Sequence, residues 1–328
     1  VDPQARADFP QPNRRVLVTG GGGFVGWHLV DRLTRSGVNV TSLSRHPGRL
    51  ATLKTGSTRF VPADLGNADA VIEALDGVRP DLVYHFASHP DGPECYEHAR
   101  TTIQTNLVGT LNLLEAMRRL GGAVLVYGDS CKVYGNADVP YHSGTPLSPG
   151  SSYAISKAAG WELCQVYARL YGLTIICVRP TLMYGSYQGR NLISFVIRSV
   201  LAGKERIALD GGSQTRDPLY VDDGVGAFIA AGARGRELNG KVINIGGGHE
   251  LSVAVIAQTT VDLMGSSIRI ESRPNQVRAT EMSRSYCDNR EAAQWLGWRP
   301  SHTLEEGLKE TIRYETQSHG TLNPEPLS

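Results

Sequence analysis

Arg15-Val-Leu-Val-Thr-Gly-Gly-Gly-Gly-Phe-Val-Gly26 is the stretch on which the fold turns. Its first five residues include an apolar run of strand length, and the glycines then lead into an amphipathic pattern carried by Trp27, Leu29, Val30 and Leu33. Glycines at 20, 23 and 26 let the backbone turn tightly and approach a pyrophosphate at the positive end of a helix. A second strand pattern, Val38 to Leu43, supplies the context such a turn requires. A parallel sheet that opens on a dinucleotide-binding turn is therefore predicted.

The alternation continues outward from there. Arg59-Phe-Val61 precedes Asp64-Leu65, and Asp81-Leu-Val-Tyr-His-Phe86 precedes a helical pattern around Ile103 to Leu120. Ala123-Val-Leu-Val-Tyr127 then leads into Gly128-Asp-Ser-Cys-Lys-Val-Tyr-Gly135, Ser151 to Tyr171 reads as a helix, and Thr174-Ile-Ile-Cys-Val178 as the next strand. Strands alternating with helices in this way predict the α/β class, with a Rossmann-like doubly wound parallel sheet over residues 14–180. Past Arg179-Pro180 the elements shorten: a helix over Asn191 to Ala202, a strand at Arg206 to Leu209, a turn into a helix at Arg216 to Asp223, a strand at Val242 to Ile245, and helices near Arg290 to Leu296 and Leu304 to Tyr314. This predicts a smaller C-terminal substrate-binding lobe over residues 181–317, with some chain returning to the first domain. Residues 1–13 read as a loose arm and 318–328 as a disordered tail.

Composition excludes several functions. The 328 residues carry a formal charge of +1, so no global field argues for nucleic acid or an anionic membrane. Five unevenly spaced cysteines form neither a disulfide framework nor a metal-binding pair, and Cys164 and Cys177 read as small core residues. No apolar run approaches the roughly 18 to 20 residues of a membrane span, and Val1 to Asn13 lacks the apolar core of a signal peptide, so a cytoplasmic protein is expected.

The chemistry is carried by Tyr153-Ala-Ile-Ser-Lys157 and the preceding Ser130. A tyrosine and a lysine four positions apart share a helix face, where an ammonium favours the phenolate and turns a weak acid into a base. Ser130 follows a buried strand, at the end of a sheet where ligands bind. After the second strand stands Ser44-Arg45-His46 in place of an acidic residue, and a serine with a guanidinium suits a 2′-phosphate, so NADP is favoured over NAD. His85 reads as a histidine without a catalytic role, and His89 as a pocket wall.

Taken together, Thr19 to Gly26, Asp64-Leu65, His85-Phe-Ala87, Asn106-Leu-Val-Gly-Thr110, Ser130 to Gly135, Tyr153 to Lys157, Arg216-Asp217 with Tyr220-Val-Asp-Asp223, and Leu296-Gly-Trp-Arg-Pro300 resemble the extended short-chain dehydrogenase/reductase family, and within it the nucleotide-sugar epimerases and dehydratases. The resemblance implies Tyr153 as base, Ser130 as its partner on the sugar hydroxyl and Lys157 on the nicotinamide ribose. Gly20, Gly23 and Gly26 would face the pyrophosphate, and Asp64 and Leu65 the adenine. Phe24, Val25, Phe86, Ala87, Asn106 and Pro180 would join the cofactor site. Ser88, His89, Asn191 and Leu192 would line the substrate, with Arg216 and Arg273 on its diphosphate. A homodimer through the helices at Asn106 to Leu120 and Tyr153 to Tyr171 is also implied.

Departures from the family pattern sharpen the expectation. Leu182 stands where many members have an asparagine, and no arginine for a sugar carboxylate precedes Tyr153. After Ser130, Cys131 and Lys132 replace the Asp-Glu of 4,6-dehydratases; Lys132 resembles CDP-glucose 4,6-dehydratases, and Cys131 with Ala87-Ser-His89 and Arg273-Pro-Asn275 resembles the 5,6-dehydratase of tunicamycin biosynthesis. A 4-epimerase needs no second proton-transfer pair, whereas a dehydratase does. Titratable groups at 131 and 132 therefore favour a dehydratase over a 4-epimerase or 4-ketoreductase, with a decarboxylase-like enzyme or a non-catalytic nucleotide-binding regulator behind them.

Overall fold

Val16, Leu17 and Val18 are sealed from solvent on both faces because β1 (Arg15–Thr19) lies inside a seven-stranded parallel sheet. The computed structural model describes residues 10–11, 13–53, 58–189, 191–274 and 276–319. Most of the expected N-terminal arm, Asn275 of the Arg273-Pro-Asn275 motif, and the tail from 320 onward lie outside the described residues.

After β1 come α1 (Phe24–Arg35), β2 (Asn39–Ser44), β3 (Arg59–Pro62), α2 (Ala68–Val78), β4 (Leu82–His85), α3 (Tyr96–Thr102), α4 (Gly109–Leu120), β5 (Val124–Gly128), α5 (Ser152–Tyr171) and β6 (Thr174–Pro180). The second half runs β7 (Leu182–Tyr184), α6 (Leu192–Leu201), β8 (Arg206–Asp210), β9 (Thr215–Arg216), β10 (Pro218–Tyr220), α7 (Val221–Arg234), β11 (Val242–Ile245), β12 (Leu251–Ser252), α8 (Val253–Leu263), β13 (Arg269–Arg273), α9 (Arg290–Leu296) and α10 (Leu304–His319). The sheet order is β11-β6-β5-β4-β1-β2-β3. The Rossmann-like α/β class expected from the strand–helix alternation is what forms.

Alternation of side chains across the pleat explains why the strands read as continuous apolar runs. Leu17, Leu43, Val83, Leu125 and Ile175 pack under α2, α4 and α5, while Val16, Val18, Tyr84, Val126 and Ile176 pack on the other face with α1 and α7. Complete burial of each such side chain stabilises by roughly 1.5–3 kcal/mol. Strand order reverses between β1 and β4: the chain moves from β1 out to β3, then crosses back to β4 on the other side of β1. A crevice opens at the carboxyl ends of the strands there.

Three boundaries differ from expectation. The helix expected around Ile103 to Leu120 begins at Tyr96 and contains a π-helical segment, Ile103–Val108, before α4. The widened turn carries Asn106 inward, where its side chain bonds to His89 and Ser156. The expected turn at Arg216 to Asp223 contains strands: β9 pairs antiparallel with β12, and β10 parallel with β7. Strands of two or three residues are too short to show periodicity in a sequence. The last helix continues to His319, past the point where a tail was expected.

Candidate functional site

The glycine turn sits at the reversal point because nothing larger fits there. A Cβ on Gly20, whose φ is +71°, would lie 2.7 Å from the Ala87 nitrogen, and one on Gly26 would lie 2.2 Å from the Gly20 oxygen. The Gly23 N–H donates to the Gly20 carbonyl at 3.0 Å, and α1 begins without a side-chain cap. Its first-turn N–H groups and positive dipole end thus face the crevice, so the residues present fit a dinucleotide pyrophosphate. Phe24 and Val25 pack partly buried against the core beside them. Ser44 Oγ donates to the His46 carbonyl at 2.7 Å, which leaves Arg45 to carry the expected 2′-phosphate contact. Asp64 Oδ1 accepts from the Gly66 N–H at 2.9 Å, and Leu65 is buried with its carbonyl accepting from Asn112.

Beneath this turn a chain of hydrogen bonds fixes the ends of β1 and β4. The Ala87 N–H donates to Thr19 Oγ1 at 3.2 Å, and Thr19 lies 2.7 Å from His85 Nδ1. His85 Nε2 lies 3.0 Å from Thr110 Oγ1, which donates to the Asn106 carbonyl. The network assigns the proton to Nε2: Thr19 donates to Nδ1, and Nε2–H donates to Thr110. Burial, reinforced by Lys157, pushes the His85 pKa down to about 3, so the ring is neutral. Both ring nitrogens of His85 are thus engaged within the protein.

At the next strand end, β5 delivers Ser130, whose Oγ accepts from the Lys132 N–H at 3.3 Å. Tyr153 stands in the first turn of α5, capped by Ser151 Oγ accepting from the Ala154 N–H at 3.1 Å. Hydrogen bonds from Ser130 and Ser88 favour the Tyr153 phenolate. Burial first, then the charges of Asp129 and Asp91, push the phenol well above its ordinary range. The expected Lys157 contact takes another form: its ammonium is 6.0 Å from the Tyr153 ring centre and donates to the Gly128 carbonyl at 2.8 Å. Burial lowers the Lys157 pKa, with Asp129 opposing. Asp129 is itself held by Arg179 at 2.6 Å in a buried ion pair.

Cys131, expected as a proton-transfer group, is buried. Its side chain is 1% exposed, its Sγ donates to the Arg179 carbonyl at 3.2 Å, and it packs with Tyr134, Tyr141, Met282 and Cys287. The tight turn over Cys131–Tyr134 rotates successive residues by about 120°, so Cys131 points into the core and Lys132 outward. The thiol lies among these buried groups. Lys132, 46% exposed at the side chain, pairs with Asp91 at 2.5 Å.

The expected substrate residues divide. Ser88 reaches Tyr153, and Pro180 ends β6 beside the Ser130 turn. His89 is fixed, its N–H donating to Asn106 Oδ1 at 2.6 Å and its Nδ1 3.0 Å from Thr102. Asn106, expected beside the cofactor, uses its amide on the His89 carbonyl and Ser156. Phe86 packs edge-on against Phe228. Asn191 caps α6, its Oδ1 accepting from the Ser194 N–H at 2.7 Å, with Leu192 partly buried behind it. Arg216 is ion-paired with Glu281 and donates to the Thr215 and Met282 carbonyls, so a diphosphate would have to replace that carboxylate. Arg273 is exposed, 3.4 Å from Gln276.

A cleft of about 200 Å³ runs from Lys132 and Ser151 past Asn136 to Thr280, Glu281 and Met282. A separate cleft of about 480 Å³ between α1 and α7 holds three ion pairs, Asp31 with Arg35, His28 with Asp222 and His302 with Asp223. Sequence reasoning missed Asp91, Asp129, Glu94 and Ser151. Asp129 precedes Ser130 directly, and Asp91 and Glu94 form an acidic pair just after β4, which was the available signal.

The sequence model of the NAD dependent epimerase/dehydratase family matches residues 16–246. The chain is 32% identical over 311 residues to a UDP-glucose 4-epimerase of Mycolicibacterium smegmatis, covering 92% of this chain and 98% of that protein. It is 31% identical over 322 residues to a dTDP-glucose 4,6-dehydratase of Xanthomonas campestris pv. campestris, covering 90% and 91%. The solved UDP-glucuronic acid 4-epimerase of Bacillus cereus, in complex with UDP-glucuronic acid and NAD, superposes with a TM-score of 0.86 at 26% identity, covering 92% and 99%.

Proposed function

We propose that this chain, which belongs to the NAD dependent epimerase/dehydratase family and is an enzyme of that family, is a nucleotide-sugar 4-epimerase with Tyr153 as its single proton-transfer group. The observation that supports this reading is the burial of Cys131: its thiol is held against the Arg179 carbonyl inside the core, a poor position for a proton-transfer group in an elimination. What stands at the site serves proton exchange at one hydroxyl. Ser130 and Tyr153 orient the sugar C4 hydroxyl; Tyr153 Oη takes its proton and later returns one to the inverted hydroxyl.

The glycine turn would hold the pyrophosphate of NAD, and Lys157 the nicotinamide ribose. A bound nicotinamide supplies the two-electron acceptor and donor that the inversion needs. A UDP-sugar is the substrate class, by similarity to the complexed neighbour, with Arg216 on the diphosphate once Glu281 is displaced. Preference for NADP rests on Arg45 alone, since Ser44 is engaged with His46. A homodimer belongs to the same proposal: Leu111 on α4 and Ile155, Leu170 and Tyr171 on α5 are exposed apolar residues awaiting a second copy. Among the described residues, no helix is long and apolar enough to cross a membrane.

Dehydration is the second reading, favoured by one observation, the Asp91–Lys132 pair beside Tyr153. Incubation of the purified protein with UDP-, dTDP-, GDP- and CDP-sugars, followed by mass spectrometry and chromatographic separation of epimers, tests both. A C4 epimer of unchanged mass is expected; a product lighter by one water would replace the epimerase with a dehydratase.

A further inference from the structure

We propose that Asp91 is a positioning residue: it ties the loop after β4, the turn after Ser130 and the N-terminus of α5 into one unit, and with Lys132 forms a charge pair that governs the proton on Tyr153. The inference rests on the reading of Tyr153 as the base.

The geometry places one carboxylate between three elements. Asp91 Oδ2 meets Lys132 Nζ at 2.5 Å, and Ser151 Oγ donates to Asp91 Oδ1 at 3.3 Å. Ser151 is also the cap of α5, so the residue that starts the helix two positions before Tyr153 is anchored to Asp91. Glu94, three residues on, supports the same latch: its Oε1 accepts from the Ser152 N–H at 3.0 Å and from Ser152 Oγ at 3.1 Å. Ser152 and Tyr153 thus begin α5 under a loop that two carboxylates hold down.

Charge gives this latch its second role. The charges that bear on the Tyr153 phenol are Asp129, paired with Arg179; Lys157 one turn along α5; and Asp91 from the loop after β4, paired with Lys132. His89 and His98 lie near the same loop, with His89 depressed by burial, His98 and Arg45. Asp91 opposes the phenolate, and the Lys132 ammonium, 2.5 Å from that carboxylate, carries the compensating charge. Removing either partner alone uncovers the charge of the other.

Opposite charges within ~4–6 Å shift a titration by about one to three units, and partial exposure here keeps the effect near the low end. Asp91→Asn retains a side chain that can accept from Ser151 and leaves Lys132 uncovered, so Tyr153 should titrate on the order of one pH unit lower. Lys132→Met should move it higher, and the double variant should return to the wild-type position. The readout is a difference-absorbance titration of tyrosinate in the NAD-loaded protein, each variant against the same protein with Tyr153→Phe, which needs no substrate. Thermal melts of each variant report folding.

Shifts of opposite sign that cancel in the double variant establish the charge pair. Singles that shift together, or not at all, overturn it, whatever happens to turnover. Retained turnover in Tyr153→Phe would instead remove the base assignment, while the titration would still report whether Asp91 and Lys132 act on that phenol.

Discussion

A phenol in a desolvated site is a poor base until its anion is stabilised, and at Tyr153 burial and nearby carboxylates raise the phenol while hydrogen bonds from Ser130 and Ser88 work the other way. The placement in the first turn of α5 adds the positive end of the helix dipole. Tyr153→Phe should therefore fold and bind NAD but lose turnover by about 10²- to 10⁴-fold, measured as steady-state kcat on whichever sugar nucleotide the wild type converts. Cys131→Ala should leave the product mass unchanged and lower stability by roughly 1–2 kcal/mol in urea denaturation, because the thiol is a packing residue with one buried hydrogen bond. His85 supplies the pH dependence. Its folded pKa of about 3 lies below the ordinary 6.5, so the folded state binds fewer protons and its contribution is complete above pH 6.5. That contribution is lost as pH falls toward 3, about 2 kcal/mol of it between pH 7 and pH 5. Urea denaturation at those two pH values should show this loss in the wild type, and a smaller one in His85→Asn.

At the scale of elements, the turn from β1 into α1 was readable because each glycine answers a local demand. Gly20 needs a positive φ and room beside Ala87, and Gly26 has no space for a Cβ against the Gly20 carbonyl. Gly26→Ala should push the turn open and weaken NAD binding by at least tenfold in calorimetric titration while the helix itself forms. Ser151→Ala removes both the cap of α5 and the anchor of Asp91. It should cost about 1 kcal/mol of stability in thermal or urea melts. The strands β9 and β10 were not readable, since each is defined by its partner, β12 or β7, and not by any pattern of its own. Likewise the π-helical segment places Asn106 on partners, His89 and Ser156, that are distant in sequence.

For the whole molecule, cofactor binding at the reversal of strand order would join the ends of β1, β2 and β4, so it should stabilise the fold through linkage. A hundredfold excess of NAD over its dissociation constant adds about 2.7 kcal/mol. Thermal melts with NAD and with NADP at matched concentrations decide the cofactor question, and Arg45→Ala reports the role of the guanidinium. A shift with NADP that exceeds the shift with NAD, and that disappears in Arg45→Ala, would restore the preference read from Ser44 and Arg45. Equal or larger shifts with NAD fit the complexes of the solved neighbours.

Apolar runs, glycine spacing and the Tyr153–Lys157 interval are local patterns, each enforced by the period of a strand, a turn or a helix. By itself, therefore, the sequence determined the parallel α/β class and the glycine turn from β1 into α1. The fate of Cys131 and Lys132 was not local. Whether a thiol next to a catalytic serine faces a sugar or a core depends on what stands behind the turn, and here that is the Arg179 carbonyl, Tyr141 and Cys287, residues about 50, 10 and 156 positions away. The partner of Lys132 likewise came from a loop 41 positions back. Only the tertiary structure could decide which of two adjacent titratable groups is buried and which is paired, because desolvation and charge are set by neighbours in space.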